Sequence, residues 1–445
     1  MDKRWIKNFN ELATSPNREK ALLIAEAGLD AIDTKEAISR SLKLEGNVIN
    51  VMGESFDLSK FKNIKVVGFG KASCDAAVAL EKILGSRIKE GAVIGLQKIP
   101  SRYIEIFAGT HPRPSEINLE GGEKIYETIK DSDKEDLVIV LVSGGGSALL
   151  CYTEEECEQG IKLYDSFLKT GKTITEINTV RKHLSLLKGG GLAKIAYPAT
   201  VIGLIFSDIP GDRFCDVASG PTYKDETTVA DAETIIRKYD LGHFDLTETP
   251  KEDKYFEKVR NFVLVSNKTA VEAMAKKGEE FGLKPKIIST ELYDEIGGAL
   301  KKIFSIHNEA RKGFFRVLGK NPQTTQKPFS GFVSLAAGEP SIEIKDKKGK
   351  GGRSLHMGLQ AIKMKMVDEN SVFISFASDG MDNSDVAGAI VDKKTLEKGE
   401  KFGLDAGEYL ERFDSYTFFQ KTGNMIMTGP TGANVSDLMI LLTKK

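Results

Sequence analysis

Continuous apolar runs, each followed by a glycine-rich loop and then by a segment with helical spacing, recur through the first half of the chain. They lie within residues 63–73, 92–96, 103–108, 137–150 and 199–209. Runs without alternation are typical of strands buried on both faces. Repetition of strand, loop and helix in this order predicts a doubly wound parallel sheet.

Apolar residues three and four positions apart predict several helices. One covers residues 18–45, and another follows the capping pair Thr153 and Glu156 as far as about Leu168. A third covers Thr175–Lys188 and carries two faces, an apolar one and a polar one. The polar face consists of Asn178, Arg181, Ser185 and Lys188. Both a solvated surface and a ligand-facing surface fit this pattern.

The second half has its own set of predicted strands, at Phe262–Val265, Lys286–Ser289, Phe332–Ala336, Ser341–Ile344 and Val372–Ala377. The link between the third and fourth of these is too short for a parallel crossover. A hairpin is therefore expected there, which would make this sheet mixed. The polar stretch before residue 260 places the domain boundary near residue 245, giving domains 1–245 and 246–445.

Composition limits the classes of partner and the compartment. The chain has 445 residues, 63 Lys and Arg against 64 Asp and Glu, and 4 cysteines without a CxxC pair. We expect no nucleic-acid partner, because there is no overall basic field. No disulfide scaffold is expected, and a reducing cytoplasm suits these cysteines. No apolar run approaches the roughly 18 residues of a membrane span, so we predict a soluble, cytoplasmic protein.

The segment Ser143–Ser147, with sequence SGGGS, follows the most apolar run. Consecutive glycines let backbone N–H groups approach a ligand, and open α/β sheets bind anions at such strand ends. A flexible turn is the alternative, but the flanking serines favour binding. Similar loops supply the other candidate binding residues. The complete set is Gly70, Ser143, Gly144, Gly145, Gly146, Ser147, Arg181, Lys188, Gly220, Thr222 and Gly352.

Four aspartates and two cations complete the set of candidate site residues. Asp208 and Asp212 follow a predicted strand, and Asp379 and Asp382 follow another, with a spacing that does not match an EF-hand. Lys71 and Arg353 each lie between a glycine loop and a helix start. The four aspartates are candidate Mg²⁺ ligands, and Asp208 is also a candidate base for an acceptor hydroxyl. Lys71, Arg353 and Asp208 are the candidate catalytic residues.

These candidate site residues fit phosphoryl transfer better than other chemistries. No Gly-x-Ser-x-Gly elbow or zinc-like His/Cys cluster is present. Phosphoryl transfer needs backbone donors, cations, oxygen ligands for Mg²⁺ and a positioned hydroxyl. The segment GFGKAS nevertheless fails as a Walker A loop, since Ala72 follows Lys71. It also fails as a dinucleotide fingerprint, since Ser73 replaces the third glycine.

Taken together, the loops resemble the class II glycerate kinase family, the MOFRL-type enzymes. The matching segments, in the family's order, are GFGKA at 68–72, THPRPS at 110–115, VSGGGSALL at 142–150, INTVRKHLSLLKGGGLA at 177–193, FSDIPGD at 206–212, ASGPT at 218–222, GKGGR at 349–353, SDGMDNSDVAGAIVD at 378–392 and TGPTGANVSDL at 428–438. The chain departs from the family at Ser354–His356, where Asn-Gln-Glu is common, and at Ala377 and Asn383, where glycines are usual.

The resemblance implies two three-layer α/β/α domains, the N-terminal one with a Rossmann-like parallel sheet and the C-terminal one with a mixed sheet. The active site would lie in the cleft between them. It further implies phosphorylation of D-glycerate at the 2-hydroxyl with ATP and Mg²⁺. The family's functional lysine and arginine correspond to Lys71 and Arg353. The oligomeric state, a homodimer included, is left open.

Two alternatives belong to different classes. Family members have also been labelled hydroxypyruvate reductases, but the chain lacks an intact NAD(P)H fingerprint. A non-catalytic nucleotide or anion sensor would keep the glycine loops. It would not need Lys71, Arg353 and the aspartates together.

Overall fold

The structure is a computed structural model that describes residues 4–170, 174–211, 213–318, 329–343 and 349–444, without the side chains of 167–174 and 314–318. The α-helices, numbered along the chain, are α1 (Phe9–Leu12), α2 (Pro16–Ile32), α3 (Thr34–Ser41), α4 (Ser73–Leu84), α5 (Glu116–Ile129), α6 (Gly146–Leu149), α7 (Glu154–Thr170), α8 (Ile174–His183), α9 (Gly191–Ala196), α10 (Val229–Tyr239), α11 (Asn267–Glu280), α12 (Ile296–Leu318), α13 (Arg353–Lys363), α14 (Lys393–Lys401), α15 (Ala406–Glu411) and α16 (Ser415–Thr422).

The strands, also numbered along the chain, are β1 (Leu42–Glu45), β2 (Val48–Val51), β3 (Glu54–Asp57), β4 (Asn63–Phe69), β5 (Ile88–Gly95), β6 (Glu105–Ala108), β7 (Asp136–Ser143), β8 (Thr200–Phe206), β9 (Val259–Val265), β10 (Leu283–Leu292), β11 (Gly331–Gly338), β12 (Ser371–Ala377), β13 (Gly388–Val391), β14 (Met425–Ile426) and β15 (Asp437–Lys444). Short 3₁₀ helices lie at Leu58–Lys60, Gly85–Arg87, Phe214–Ser219 and Asp253–Tyr255.

The chain forms two compact units. The first unit is Thr34–Val265, and the second unit combines Met1–Asp33 with Ser266–Lys445. The predicted boundary at residue 245 is corrected by twenty residues, because β9 pairs in parallel with β8 and so belongs to the first sheet. The N-terminal segment belongs to the second unit because α2 packs against α11.

The first unit contains a parallel sheet whose described strands follow the order β6-β5-β4-β7-β8-β9. Its central strands are buried along nearly their whole length, as the continuous apolar runs predicted. The chain leaves β4 towards one edge and returns to start β7 on the other side of β4. The pair β4 and β7 is therefore the topological switch point, where such sheets bind ligands.

The second unit contains a mixed sheet with described strands in the order β10-β11-β15-β12-β13-β14. Its mixed character was predicted, but the predicted hairpin at Ser341–Ile344 was wrong. Ser341 forms only an isolated bridge with Glu295, and residue 344 lies outside the described residues. Strand β15 lies between β11 and β12 and is antiparallel to both, and the pairs β12 with β13 and β13 with β14 are antiparallel as well.

Two helix predictions need correction. The helix predicted over residues 18–45 ends at Ser41, with a break at Asp33, and residues 42–45 form β1. The helix predicted to reach Lys188 ends at His183. Ser185 Oγ accepts the backbone N–H groups of Leu187 and Lys188, an alternative to helical hydrogen bonding.

Cys151 and Cys157 form a disulfide, which the cysteine spacing did not lead us to expect. The start of α7 returns the chain towards Cys151, so the two Cα atoms lie 5.6 Å apart. Cys74 is buried and Cys215 exposed, and both are thiols. No helix among the described residues is long and apolar enough to cross a lipid bilayer.

Candidate active site

The loops that follow β4, β7 and β8 lie side by side at the carboxyl edge of the first sheet. Gly70 (φ 120°) packs directly on Ser143, where a Cβ atom would meet the Ser143 hydroxyl. Ser143 Oγ accepts the backbone N–H of Ala72 at 3.1 Å. Gly145 takes a left-handed φ of 77° at the start of α6. Ser143 and Gly70 thus fix the geometry of the loop, while Gly145 needs the freedom of glycine.

Lys71 and His111 converge on Gly145. A Cβ atom on Gly145 would lie 3.1 Å from Lys71 Cγ and 3.2 Å from His111 Cδ2. The Lys71 ammonium makes no ion pair or hydrogen bond within the part of the chain that the structure describes. Desolvation, with the positive charges of Lys71 and Arg181, lowers the pKa of His111 to about 4. At neutral pH the site therefore holds cations beside an uncharged imidazole.

Arg181 lies on α8 and lines a narrow cavity together with Ser147 and Tyr164. Burial lowers the pKa of Arg181 to about 10, and no described carboxylate forms an ion pair with it. Its one described hydrogen bond runs from Nη1 to Asn178 Oδ1, at 3.4 Å. A desolvated cation without an acidic partner needs an anion from outside the chain. Of the two open interpretations of this helix face, the ligand-facing one is favoured for Arg181.

Lys188 has a different environment from Arg181. Its ammonium is buried, lies 2.5 Å from Glu156 Oε1 and donates to the carbonyl oxygen of Leu150 at 2.7 Å. These partners give Lys188 a structural role, and although it lines the same cavity as Arg181, its role in substrate binding stays a prediction. Gly220 and Thr222 also have partners within the chain, and their binding roles stay predictions. The Gly220 carbonyl accepts from Gly190 N–H, and the Thr222 hydroxyl donates to Asn261.

A group of buried polar side chains lies behind the glycine loop. Ser147 Oγ is 2.8 Å from Ser219 Oγ, and the Ser219 hydroxyl is 3.3 Å from Asn178 Oδ1. Ala218 packs on Gly146, at the start of α6. The group connects the loop to Arg181 through Asn178.

Asp208 follows β8 and lies against Gly144, where a Cβ atom would meet its carboxylate. The loop can hold this carboxylate only because Gly144 has no side chain. Asp208 therefore lies next to the glycine loop, while its catalytic role stays a prediction. Asp212 lies outside the described residues.

The second unit carries a second polar site around Arg353. Arg353 Nε lies 3.0 Å from Asp437 Oδ2, and Arg353 Nη1 lies 3.1 Å from Glu339 Oε2. Although burial lowers it, the charges of Asp437 and Glu339 raise the pKa of Arg353 above its ordinary value. Burial raises the pKa of Asp437 to about 8, with Arg353 opposing and the nearby carboxylates adding to the rise. Arg353 thus neutralises part of the negative charge of Asp437 and Glu339 and has carboxylate partners within the chain.

Asp382 and Asp379 differ in what they can bind. Asp382 accepts the backbone N–H groups of Ser354 and Leu355 at 3.0 and 2.7 Å, so its carboxylate caps α13. Burial raises the pKa of Asp382 to about 6, against these hydrogen bonds. Asp382 therefore has a structural role at the start of α13, and its role as a metal ligand stays a prediction. The Asp379 carboxylate accepts only the backbone N–H of Met381 among described groups. Asp379 lines a cavity of about 260 Å³ with Arg353 and Asp437.

Gly352 precedes Arg353 and leaves space for Asp382, because a Cβ atom would meet the Asp382 carboxylate. The absence of a side chain at Gly352 is therefore needed for packing at the start of α13, and its role as a phosphate contact stays a prediction. The described residues contain no group of three or more His, Cys, Asp or Glu side chains arranged to hold a metal ion.

Several residues of both sites were not predicted from the sequence, namely His111, Asn178 and Ser219 in the first unit and Glu339 and Asp437 in the second. His111 lies within the THPRPS segment, and Asn178 lies on the same predicted face as Arg181, so both had a local signal. Asp437 and Glu339 are far apart in sequence and meet only because β15 pairs with β11.

The fold and the sites define a two-unit α/β protein with a glycine-rich loop at the switch point of its parallel sheet. A family model described as a domain of unknown function, DUF4147, matches residues 20–252, and the MOFRL family model matches residues 332–437. Together with a relative named glycerate 2-kinase that is 36% identical over 96% of this chain, these matches show that the chain belongs to the glycerate kinase family.

Individual relatives agree in length and fold. A protein named glycerate 2-kinase from Pyrococcus horikoshii is 36% identical, over 96% of this chain and 97% of that protein. A putative hydroxypyruvate reductase from Agrobacterium vitis is 34% identical, over 85% of this chain and 86% of that protein. The crystal structure of a glycerate kinase from Thermotoga maritima has a TM-score of 0.81 at 31% identity, covering 96% of this chain and 99% of that one.

Proposed function

We propose that this chain is a glycerate 2-kinase, which transfers the γ-phosphoryl group of ATP to the 2-hydroxyl of D-glycerate. The observation that carries the proposal is the pair of cations at the first site. Neither Lys71 nor Arg181 has a carboxylate partner among the described residues, and both lie near the glycine loop. Glycerate and the transferred phosphoryl group are anions that would supply the missing partners.

The roles within this site follow from the chemistry of each group. Arg181 presents a planar guanidinium suited to a carboxylate, whereas Lys71 is a point charge suited to the transferring phosphoryl group. The backbone N–H groups of Gly144–Gly146 would contribute further donors at the start of α6. Asp208 would accept the proton of the acceptor hydroxyl. Positioning and charge neutralisation are what phosphoryl transfer mainly requires.

The second unit would contribute Arg353 and its carboxylates. Asp437 Oδ2 is paired with Arg353 Nε at 3.0 Å, whereas the Asp379 carboxylate keeps most of its acceptor capacity. The Asp379 carboxylate therefore fits Mg²⁺, which uses one or two carboxylates together with nucleotide phosphates and water. Asp379 would hold the ion, with Asp208 and Asp212 as further predicted ligands. When bound, Mg²⁺ would neutralise nucleotide phosphate charge. The expected position of the active site between the units stays a prediction.

The name of the Agrobacterium relative keeps hydroxypyruvate reductase as the second candidate. A reductase needs a dinucleotide site. In this structure β4 is followed by Gly70, Lys71 and a close contact to Ser143, with Ser73 at the start of the next helix. The unpaired cations favour the kinase. The cytoplasmic location stays a prediction.

Incubation of the full chain with ATP, Mg²⁺ and D-glycerate, followed by phosphorus NMR, tests the proposal. We expect 2-phosphoglycerate and ADP in equal amounts. A parallel assay with hydroxypyruvate and NADH or NADPH tests the reductase. Oxidation of the reduced nucleotide without phosphorylation of glycerate would contradict the kinase proposal and favour the reductase. No activity in either assay would favour a non-catalytic binding protein.

A further inference from the structure

The buried serine and asparagine behind the glycine loop form a hydrogen-bonded relay between two cavity-lining groups. Ser147 and Arg181 line the cavity, whereas Ser219 and Asn178 are 0% and 3% exposed. The relay runs from Ser147 to Ser219, from Ser219 to Asn178, and ends where Asn178 meets Arg181. The two buried members contact no ligand themselves, so their effect must pass through Ser147 and Arg181.

The neighbours of Asn178 decide which way its amide points. A guanidinium can only donate, so the Asn178 atom that faces Arg181 is the carbonyl oxygen. On its other side, Asn178 Nδ2 lies 3.5 Å from the carbonyl oxygen of Asp216, which can only accept. Both neighbours require the same orientation. Asn178 Oδ1 therefore accepts from Arg181 and from Ser219.

The direction of the Ser147 hydroxyl follows from this orientation. Ser219 has one hydroxyl proton and gives it to Asn178, so Ser219 Oγ is an acceptor towards Ser147. Ser147 must then donate its own proton inward. Its oxygen is left with lone pairs for the cavity. A lone pair accepts a hydrogen bond from a donor but repels a carboxylate or phosphate oxygen.

We propose that Ser147 receives a hydrogen bond from a hydroxyl group of the substrate, and that Ser219 and Asn178 are positioning residues that hold Ser147 in this acceptor state. The inference rests on the proposed function and deepens it, because the site then recognises an alcohol group and an anion separately. Arg181 binds the anionic end, and Ser147 selects for the alcohol. The earlier expectation that Ser147 holds an oxyanion is replaced.

The backbone conformation at Ser219 supports a functional role for its hydroxyl group. Ala218, Ser219 and Gly220 are consecutive left-handed residues, with φ of 50°, 61° and 62°. Residues with a Cβ atom are unfavourable in this region and persist where the surroundings fix them, often at functional sites. Glycine would suit position 219 better on backbone grounds alone.

The substitution Ser219→Ala tests the relay, because it removes the acceptor of the Ser147 proton. Dissociation constants of the full chain are measured by calorimetry for D-glycerate, lactate, 3-hydroxypropionate and inorganic phosphate. We expect the unmodified chain to bind D-glycerate at least about tenfold more tightly than the analogue that lacks the contacted hydroxyl. In Ser219→Ala this ratio should fall to about threefold or less, because Ser147 can then donate outward.

Inorganic phosphate gives the readout that a merely structural role would not produce. Its binding should stay unchanged or become tighter in Ser219→Ala, since an outward proton favours an anion. Parallel weakening of phosphate and D-glycerate would overturn the inference, and so would an unchanged ratio. If the unmodified chain neither binds nor phosphorylates D-glycerate, the proposed function fails. In that case the comparison of phosphate binding by the unmodified chain and by Ser219→Ala still tests the relay.

Two further variants keep the test decisive. Ala218→Gly changes the neighbouring left-handed residue without touching a hydroxyl and should retain the full ratio. Asn178→Asp keeps an acceptor for Ser219 but adds a negative charge, so it should retain the hydroxyl preference and weaken phosphate binding. If Ser219→Ala does not fold, a folded Asn178→Asp that has lost the preference overturns the relay. A retained preference with weaker phosphate binding supports it.

Discussion

Lys188 and Glu156 form an ion pair in the interior of the first unit, next to the glycine loop. Their side chains are 3% and 6% exposed, and Lys188 also holds the carbonyl oxygen of Leu150. Burial lowers the pKa of Lys188 even though Glu156 lies against it. The pair therefore joins α7 to the end of the loop that carries the candidate binding residues.

Removal of one member of this pair should be strongly destabilising. Glu156→Gln leaves a buried ammonium without its counter-ion, which typically costs about 3–5 kcal/mol of unfolding free energy. Urea denaturation followed by circular dichroism measures the loss. The double variant Glu156→Gln with Lys188→Met removes both charges and should recover a large part of the stability. A double variant as unstable as the sum of the two single variants would contradict the coupling.

Lys71→Ala should reduce kcat/KM for phosphorylation of D-glycerate about 10²–10³-fold, the effect of removing one preorganised charge or donor from a transition state. Lys71→Arg should recover only part of the lost kcat/KM, because a guanidinium differs in shape and reach from an ammonium. Steady-state kinetics measure both. Exposed Lys62, in the same unit, is the control, and its alanine variant should behave as the unmodified chain. Unaltered kinetics in Lys71→Ala would remove Lys71 from the site.

The parts of the fold that could be predicted are those encoded over short segments. Strands β4, β7 and β8 are nearly continuous apolar runs, because both faces of a parallel sheet are covered. The loops at their carboxyl ends, with Gly70, Lys71 and Gly144–Gly146, were identified because the chain changes there from apolar residues to glycine. The structure brings these loops together, and their role as an anion site stays a prediction.

The parts that could not be predicted depend on contacts distant in sequence. The C-terminal strand β15 inserts between β11 and β12, and no local pattern specifies that place. The same insertion brings Asp437 to Arg353. The Glu156 partner of Lys188 could not be predicted for a related reason. Helical spacing placed Lys188 beside Arg181, and both do line one cavity, but the helix ends at His183 and only the tertiary structure reveals Glu156.

Arg353 should be required both for stability of its acidic neighbourhood and for activity. Arg353→Gln leaves Asp437 and Glu339 without a positive charge, so the pKa of Asp437 should rise further above its ordinary value. We expect a large loss of kcat/KM and a lower unfolding free energy. Adding Asp437→Asn removes one of the repelling charges and should restore stability without restoring activity. Recovery of activity in that double variant would exclude a direct role for Arg353 in the reaction.

His307 should make the second unit sensitive to acid. Its Nδ1 lies 3.0 Å from Ser334 Oγ and its Nε2 lies 2.9 Å from Thr443 Oγ1, and the residue is 1% exposed. Burial, with the charge of Arg311 adding to it and that of Asp368 opposing, lowers the pKa of His307 from 6.5 to about 4. The unfolded chain therefore binds a proton below pH 6.5 that the folded chain does not bind until about pH 4.

The stability that His307 contributes is thus present above pH 6.5 and is lost as the pH falls towards 4. This loss should amount to roughly 3 kcal/mol. His307→Gln should show a correspondingly shallower dependence of unfolding free energy on pH in this window. Urea unfolding at several pH values, followed by fluorescence of Trp5 in the same unit, measures the difference. His243→Gln, at an exposed position, should keep the slope of the unmodified chain. Equal slopes for His307→Gln and the unmodified chain would show that His307 is not the acid-sensitive group.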